Sequence, residues 1–201
     1  TEYILFQISS RELILKATDQ EISLQASTPL ENNSLEEGRF LVSGRRIFDL
    51  VKELEGSISF TMENNQLQLK ADGVDLALNI RSADDFPPFP ERIENLMQIP
   101  GSFLLEQLNK VAFLVPQNNA NTALNGMLLK IGPAGMTMVA TDGHCLAQVA
   151  SEAYTLGQDM QWLLPKRAVI EIKKIVENDI ATPVFLGTCG NQLVFSGSNF
   201  N

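Results

Sequence analysis

The chain repeats itself, and the repeat constrains the fold more than any other feature. Ile4–Ala26 reads ILFQISSRELILKATDQEISLQA, and 123 positions later Met127–Val149 reads MLLKIGPAGMTMVATDGHCLAQV. Each stretch is an apolar run, a turn, an alternating apolar run and then Ala-Thr-Asp, at Ala17–Asp19 and Ala140–Asp142. FLVSGRRIFDLVKEL at Phe40–Leu54 matches WLLPKRAVIEIKKIV at Trp162–Val176, and NQLQL at Asn65–Leu69 matches NQLVF at Asn191–Phe195. Three collinear matches at nearly one offset define two tandem units of about 120 residues each. The 201 residues are therefore divided into a first domain with its linker at 1–92 and a second domain at 93–201.

The two copies are out of phase with the chain ends. Thr1 lies opposite Leu124, yet the second copy carries the helix-like GSFLLEQLNKVAFLV before that point. Asn201 falls opposite Asp75, so the second copy lacks a counterpart of Leu76–Ile80. With no initiator Met, the expectation is a fragment whose first unit misses its start and whose second misses its last strand.

Period-2 alternation marks strands packed on one face: Leu13, Leu15 and Ala17; Ile58, Phe60 and Met62; Leu67, Leu69 and Ala71; Leu76, Leu78 and Ile80. Polar turns at Glu63-Asn64-Asn65, Gly132-Pro133-Ala134-Gly135 and Gly190-Asn191 join them as antiparallel hairpins. Three segments switch to helical spacing: Ile47, Leu50, Val51 and Leu54; Val169, Ile172 and Val176; and Leu105, Leu108, Ala112 and Val115. Ser43, Pro165 and Ser102 are candidate starts for these helices. Ser82–Pro100, with its prolines and acidic residues, suits an extended connector. The fold class is α+β, with helices on one face of antiparallel sheets.

Charge first points away from nucleic acid. With 15 Lys+Arg against 24 Asp+Glu the net charge is −9, whereas a cationic nucleic-acid binder is basic overall. The distribution reverses that inference. Arg45 and Lys52 are two helical turns apart, as are Lys166 and Lys173, and Arg167 and Lys174. With Arg46 these seven cations lie on the two matched helices. A solvated face with Asp49, Glu53 and Glu171 as ion-pair partners explains one such helix. Cations at matched positions of both copies favour a surface that meets phosphate without reading sequence.

These residues together resemble the bacterial DNA sliding clamp family, the beta subunit of DNA polymerase III. The resemblance rests on ILKATD, FLVSGRRIFDLVKEL, ADDFPPFP, LNGMLLKI, VATDGHCLA and LLPKRAVIEI, in the family's order and spacing across essentially the whole chain. It implies three similar domains per subunit and a head-to-tail homodimeric ring, with sheets outside and amphipathic helices lining a hole for duplex DNA. It implies a processivity factor of the bacterial cytoplasm and nucleoid that needs no cofactor or metal. Replicative polymerase, clamp loader and repair proteins would dock through short linear peptides, usually with a glutamine and terminal hydrophobics.

Carried over residue by residue, the partner-peptide pocket falls on Leu124, Thr141, Gly143, His144, Cys145 and Leu146. Cys145 stands where the family usually has Arg, and Asn121, Thr122 and Ala123 replace common aromatic and basic residues. The pocket's other half belongs to a third domain, so weak peptide binding is expected of this chain alone. DNA contact is implied for Arg45, Arg46, Lys52, Lys166, Arg167, Lys173 and Lys174, and for the loop Gln117–Asn119 through Asn118. The ring-closing dimer edge falls on the strand with Leu76 and Leu78.

Two other classes compete. An acidic α+β repeat scaffold for protein–protein contact would leave the basic helices merely solvated. A thiol hydrolase would pair His144 with Cys145, but on an extended strand neighbours project to opposite faces. One His and two distant Cys give no metal-ligand spacing. No apolar run approaches the roughly 20 residues of a membrane-spanning helix, and two cysteines read as reduced thiols of a cytosolic protein.

Overall fold

The computed structural model describes residues 2–30, 37–71, 73–90, 92–116 and 119–200. They fall into two compact units, one reaching to Phe89 and taking in Asn199 and Phe200, the other spanning Pro90–Ser198.

In the first unit the strands are β1 (Tyr3–Ile8), β2 (Glu12–Thr18), β3 (Ser23–Pro29), β4 (Gly38–Ser43), β5 (Ser59–Glu63), β6 (Gln66–Ala71) and β7 (Val74–Ser82), with helix α1 (Gly44–Val51) between β4 and β5. All pairings are antiparallel, in the order β3-β2-β1-β4-β7-β6-β5. The alternation in the sequence becomes the core. Phe6, Phe40 and Val42 pack with Leu67, Leu69 and Leu78, and Ile47 of α1 closes the cluster. The Phe6 and Phe40 rings stack at 5.5 Å. The β5–β6 turn has Asn64 and Asn65 at φ of 49° and 61°, the double left-handed geometry that two-residue hairpins prefer.

The second unit opens with β8 (Glu94–Ile99) and α2 (Gly101–Val111). It then runs β9 (Gly126–Gly132), β10 (Gly135–Thr141), β11 (Leu146–Ser151), β12 (Met160–Pro165), α3 (Lys166–Asn178), β13 (Val184–Cys189) and β14 (Gln192–Ser196). Its sheets are ordered β11-β10-β9-β12 and β14-β13-β8. The first order is that of β3-β2-β1-β4, so the sequence repeat is a repeat of strand topology. β8, α2 and the short helical turns between α2 and β9 have no counterpart in the described part of the first unit. The outer edge of β3 takes up the chain's far end: Ser27 N–H donates to Asn199 O at 2.9 Å, and Ala26 bridges Phe200.

Several local expectations shift. The extended connector is shorter than Ser82–Pro100, because Ser82 ends β7, Ala83–Asp85 is a single helical turn and Glu94–Ile99 is β8. Only Ile99 of this strand is buried, so no alternation marks it in the sequence. Helix α1 stops at Val51, before Leu54. In α2 the buried stripe is Leu104, Leu108 and Val111 rather than Leu105, Leu108 and Ala112. The chain tightens into a helical turn at Ala112–Leu114, and Val115 beyond it is buried as the spacing expects. Ser43 and Pro165 precede α1 and α3, but Ser43 makes no side-chain cap bond, and α2 is preceded by Pro100 rather than Ser102.

Candidate functional site

Two side chains hold the turn between β10 and β11. The Asp142 carboxylate oxygen Oδ1 accepts from the backbone N–H groups of His144 at 2.8 Å and Cys145 at 2.7 Å. Thr141 Oγ1 accepts from Gly143 N–H at 3.1 Å and donates to Cys145 O at 2.7 Å. These bonds from Cys145 and then His144 hold the Asp142 carboxyl below its ordinary value of 3.8, since both favour the ionised form. Gly143 sits at φ 93°, in a region that glycine alone enters without strain. A Cβ there would meet only Leu124 Cδ1 at 3.7 Å, an ordinary contact. Backbone conformation, not space, demands the glycine.

Leu124 reaches this turn from the other side. It ends the short helical turn Thr122–Leu124, which Asn125 anchors by accepting from Asn119 N–H at 2.6 Å and donating to Asn119 O at 3.0 Å. Leu146, the first residue of β11, is 65% exposed, far more than a leucine placed for packing would be. Leu124, Thr141, Gly143, His144, Cys145 and Leu146 thus come together on one turn and the loop beside it. Asp142, which organises them, stands outside the pocket residues that the resemblance implies. Its signal was present as the Ala-Thr-Asp shared by both copies.

The first unit contains the same turn. Asp19 Oδ1 accepts from Glu21 N–H at 3.1 Å and Ile22 N–H at 2.7 Å, and Thr18 Oγ1 accepts from Gln20 N–H at 3.1 Å. Gln20 takes the left-handed position with φ 76°. The side chains differ: Glu21, Ile22 and Ser23 stand where the second unit has His144, Cys145 and Leu146.

The turn also corrects one expectation. His144 and Cys145 lie in a bend, not on an extended strand, because the Asp142 carboxylate gathers both of their amides. Among the described residues neither side chain has a hydrogen-bond partner, and Cys145 is an exposed free thiol. No three His, Cys, Asp or Glu side chains cluster to hold a metal among the described residues. No helix there is long and apolar enough to cross a membrane.

Helices α1 and α3 carry matching exposed stripes. On α1 the stripe is Arg45, Phe48, Asp49 and, at the helix end, Lys52. On α3 it is Arg167, Ile170, Glu171 and Lys174, each 122 positions on. Lys52 Nζ lies 3.2 Å from Asp49 and Lys174 Nζ 2.9 Å from Glu171. Arg45 Nε also approaches Asp49, at 3.9 Å. Such exposed pairs contribute only about 0.3–0.5 kcal/mol, too little to commit the lysines against a phosphate. Phe48 is 67% exposed and Ile170 40% exposed. Helical spacing of inward positions does not reveal this apolar member of the stripe. Arg46 is exposed beside the α1 stripe, while Lys166 and Lys173 are half-buried on α3. Asn118, assigned to the same surface, lies outside the described residues.

Leu76 and Leu78 face inward: Leu78 belongs to the core and Leu76 packs against it. Among the described residues, what β7 leaves without a strand partner is backbone. It pairs with β6 along Val74–Asn79, but with β4 only through Ile80, Arg81 and Ser82.

Residues 2–90 match the family model described as DNA polymerase III beta subunit, N-terminal domain, and residues 98–201 match its central domain. The beta sliding clamp of Pseudomonas aeruginosa is 30% identical over 189 residues, covering 92% of this chain and 51% of that protein. The crystal structure of the DNA polymerase III beta subunit from Pseudomonas aeruginosa superimposes with a TM-score of 0.89 at 27% identity, covering 99% of this chain and 55% of that one. A sliding clamp from the same organism bound to griselimycin gives 0.89 at 26% identity, with the same coverage. The chain spans about half the length of these relatives. On two consecutive family domains and a shared fold, the chain belongs to the DNA polymerase III beta subunit, or beta sliding clamp, family.

Proposed function

We propose that this chain supplies the first two domains of a ring that encircles duplex DNA and tethers a replicative polymerase. The observation that carries the reading is the repeated stripe of cation, apolar residue, acid and cation on α1 and α3, set in a chain of net charge −9. A ring that holds DNA by enclosure needs only weak, sliding phosphate contact, and an acidic exterior keeps DNA from adhering outside. Processivity then comes from topology and effective concentration rather than from tight binding. The domain division at 92/93 and the assignment of Arg45, Arg46, Lys52, Asn118, Lys166, Arg167, Lys173 and Lys174 to the DNA-facing side belong to this proposal.

The turn at Thr141–Leu146 with Leu124 is the proposed seat for partner peptides of polymerase, clamp loader and repair proteins. A glycine that admits close backbone approach, two leucines and a polar rim fit a short peptide with apolar ends. The free backbone of β7 beside Leu76 and Leu78 is the proposed ring-closing edge of a homodimer, since unpaired strand edges are natural pairing surfaces. The site of action is the cytoplasm, on DNA, with no enzymatic step.

The test is topological. The whole polypeptide that carries this chain, loaded on nicked circular plasmid by its clamp loader, should co-elute with DNA and be released when the plasmid is linearised. Retention that ignores linearisation, or no retention at all, would leave the acidic scaffold as the better reading.

A further inference from the structure

We propose that Asp142 is the positioning residue of the peptide seat, and that Asp19 holds an idle copy of the same turn. The first part rests on the peptide-seat reading above. Asp142 acts through His144 and Cys145. Its carboxylate fixes the amides of His144 and Cys145 at 2.8 and 2.7 Å, and that sets where the next side chains project. Thr141 Oγ1 braces the turn from within through Gly143 N–H and Cys145 O.

The internal repeat separates scaffold from surface. Both turns keep a threonine, an aspartate taking two amides and a left-handed third residue. The threonine, the aspartate and the left-handed residue are therefore common to both units, although Thr141 Oγ1 donates to Cys145 O and Thr18 Oγ1 pairs with Ser23 Oγ at 2.9 Å; the larger difference is the cargo. His144, Cys145 and an exposed Leu146 stand in one unit, and Glu21, Ile22 and Ser23 in the other. A peptide with hydrophobic ends is offered a leucine by the second turn and a serine by the first. Thr141, assigned to the pocket with the others, acts with Asp142 on the bend. The groups presented to a peptide are Leu124, His144 and Leu146.

Preorganisation predicts the size of the effect. A loop already in its bound shape avoids an ordering cost at binding, so releasing it should weaken a short peptide by about tenfold. The experiment titrates the whole polypeptide with a fluorescein-labelled hexapeptide bearing one glutamine and a Leu-Phe end, read by anisotropy. Asp142→Ala should weaken binding about tenfold, and Asp142→Asn should stay within about threefold of the parent, because an amide oxygen still accepts both N–H groups. Asp19→Ala, which opens the matching turn, should leave the affinity unchanged. The amide proton resonances of His144 and Cys145 should move upfield in Asp142→Ala and hold in Asp142→Asn.

Leu146→Asp tells the two failures apart. If it binds like the parent, the seat is elsewhere and both readings fall. If it abolishes binding while Asp142→Ala binds normally, the seat stands and the positioning role is overturned. Equal loss from Asp142→Ala and Asp142→Asn, or a loss from Asp19→Ala, overturns it as well.

Discussion

Asp49 and Glu171 hold the same place on the two matched helices, and each accepts the ammonium group of a lysine three residues on, Lys52 at 3.2 Å and Lys174 at 2.9 Å. Each acid also stands next to an exposed apolar residue, Phe48 or Ile170, and four residues after an arginine. A stripe that merely solvated a helix would be free to drift in composition between copies. Here the order of chemical types is kept although Asp has become Glu and Phe has become Ile. Each of these pairs is exposed and contributes only about 0.3–0.5 kcal/mol.

The first prediction concerns these cations. Releasing counterions from DNA gives a salt slope of about 0.9 per phosphate neutralised, so Arg45→Ala with Arg167→Ala should flatten the slope of log K against log salt by about 1.8. The loss should be the same on two unrelated duplex sequences. Lys70→Ala, which removes a cation paired with Asp75 at 3.3 Å on the β6–β7 hairpin, should leave the slope unchanged. Fluorescence anisotropy at several salt concentrations measures all three.

Much of this was legible because the repeat supplied its own alignment. Strands with strict alternation, such as Leu67, Leu69 and Ala71, became strands with those residues buried. Features set by hydrogen bonds were harder to read. Nothing in periodicity marks Asp142, since an Asx turn depends on one short carboxylate and two amides rather than on a repeating pattern. The α2 stripe is ambiguous for a related reason: three adjacent apolar residues, Phe103 to Leu105, with Leu108 beyond them, fit two helical faces equally well, and only tertiary packing chose Leu104. The free half of β7 was legible only in part. The alternation found Leu76 and Leu78, whereas the opening beside them belongs to backbone pairing.

Gly143 and Gln20 should respond oppositely to substitution. Gly143→Ala forces a Cβ into φ 93° without a clash, so it should cost about 1–2 kcal/mol of stability through conformation alone. Gln20→Gly relieves the same geometry at φ 76° and should be neutral or stabilising by up to about 1 kcal/mol. Gly157→Ala is the control, since nothing lies within 4 Å of the added atom and its φ is not left-handed. Thermal midpoints for the three variants give the comparison.

Two leucines separate folding from recognition. Leu67 is 0% exposed in the first core, and Leu67→Ala should cost about 2–5 kcal/mol by leaving a cavity. Leu146→Ala should change stability by no more than about 0.5 kcal/mol, as surface substitutions do, and act on peptide affinity instead. Denaturant unfolding should therefore rank the two in the opposite order from peptide titration.

The Asp142 turn should respond to acid, and the sign follows from its carboxyl. Because the Cys145 and His144 amides hold that carboxyl below 3.8, the folded turn binds the proton less readily than the unfolded chain does. Its contribution is complete above 3.8 and is lost as pH falls through the lowered value. A 13C titration of the Asp142 carboxyl should accordingly give a midpoint below 3.8, and the His144 and Cys145 amide resonances should shift over the same range. Asp142→Asn should remove that titration and leave both amides flat across it. A midpoint at or above 3.8, or amides that move equally in Asp142→Asn, would mean that another group governs the turn.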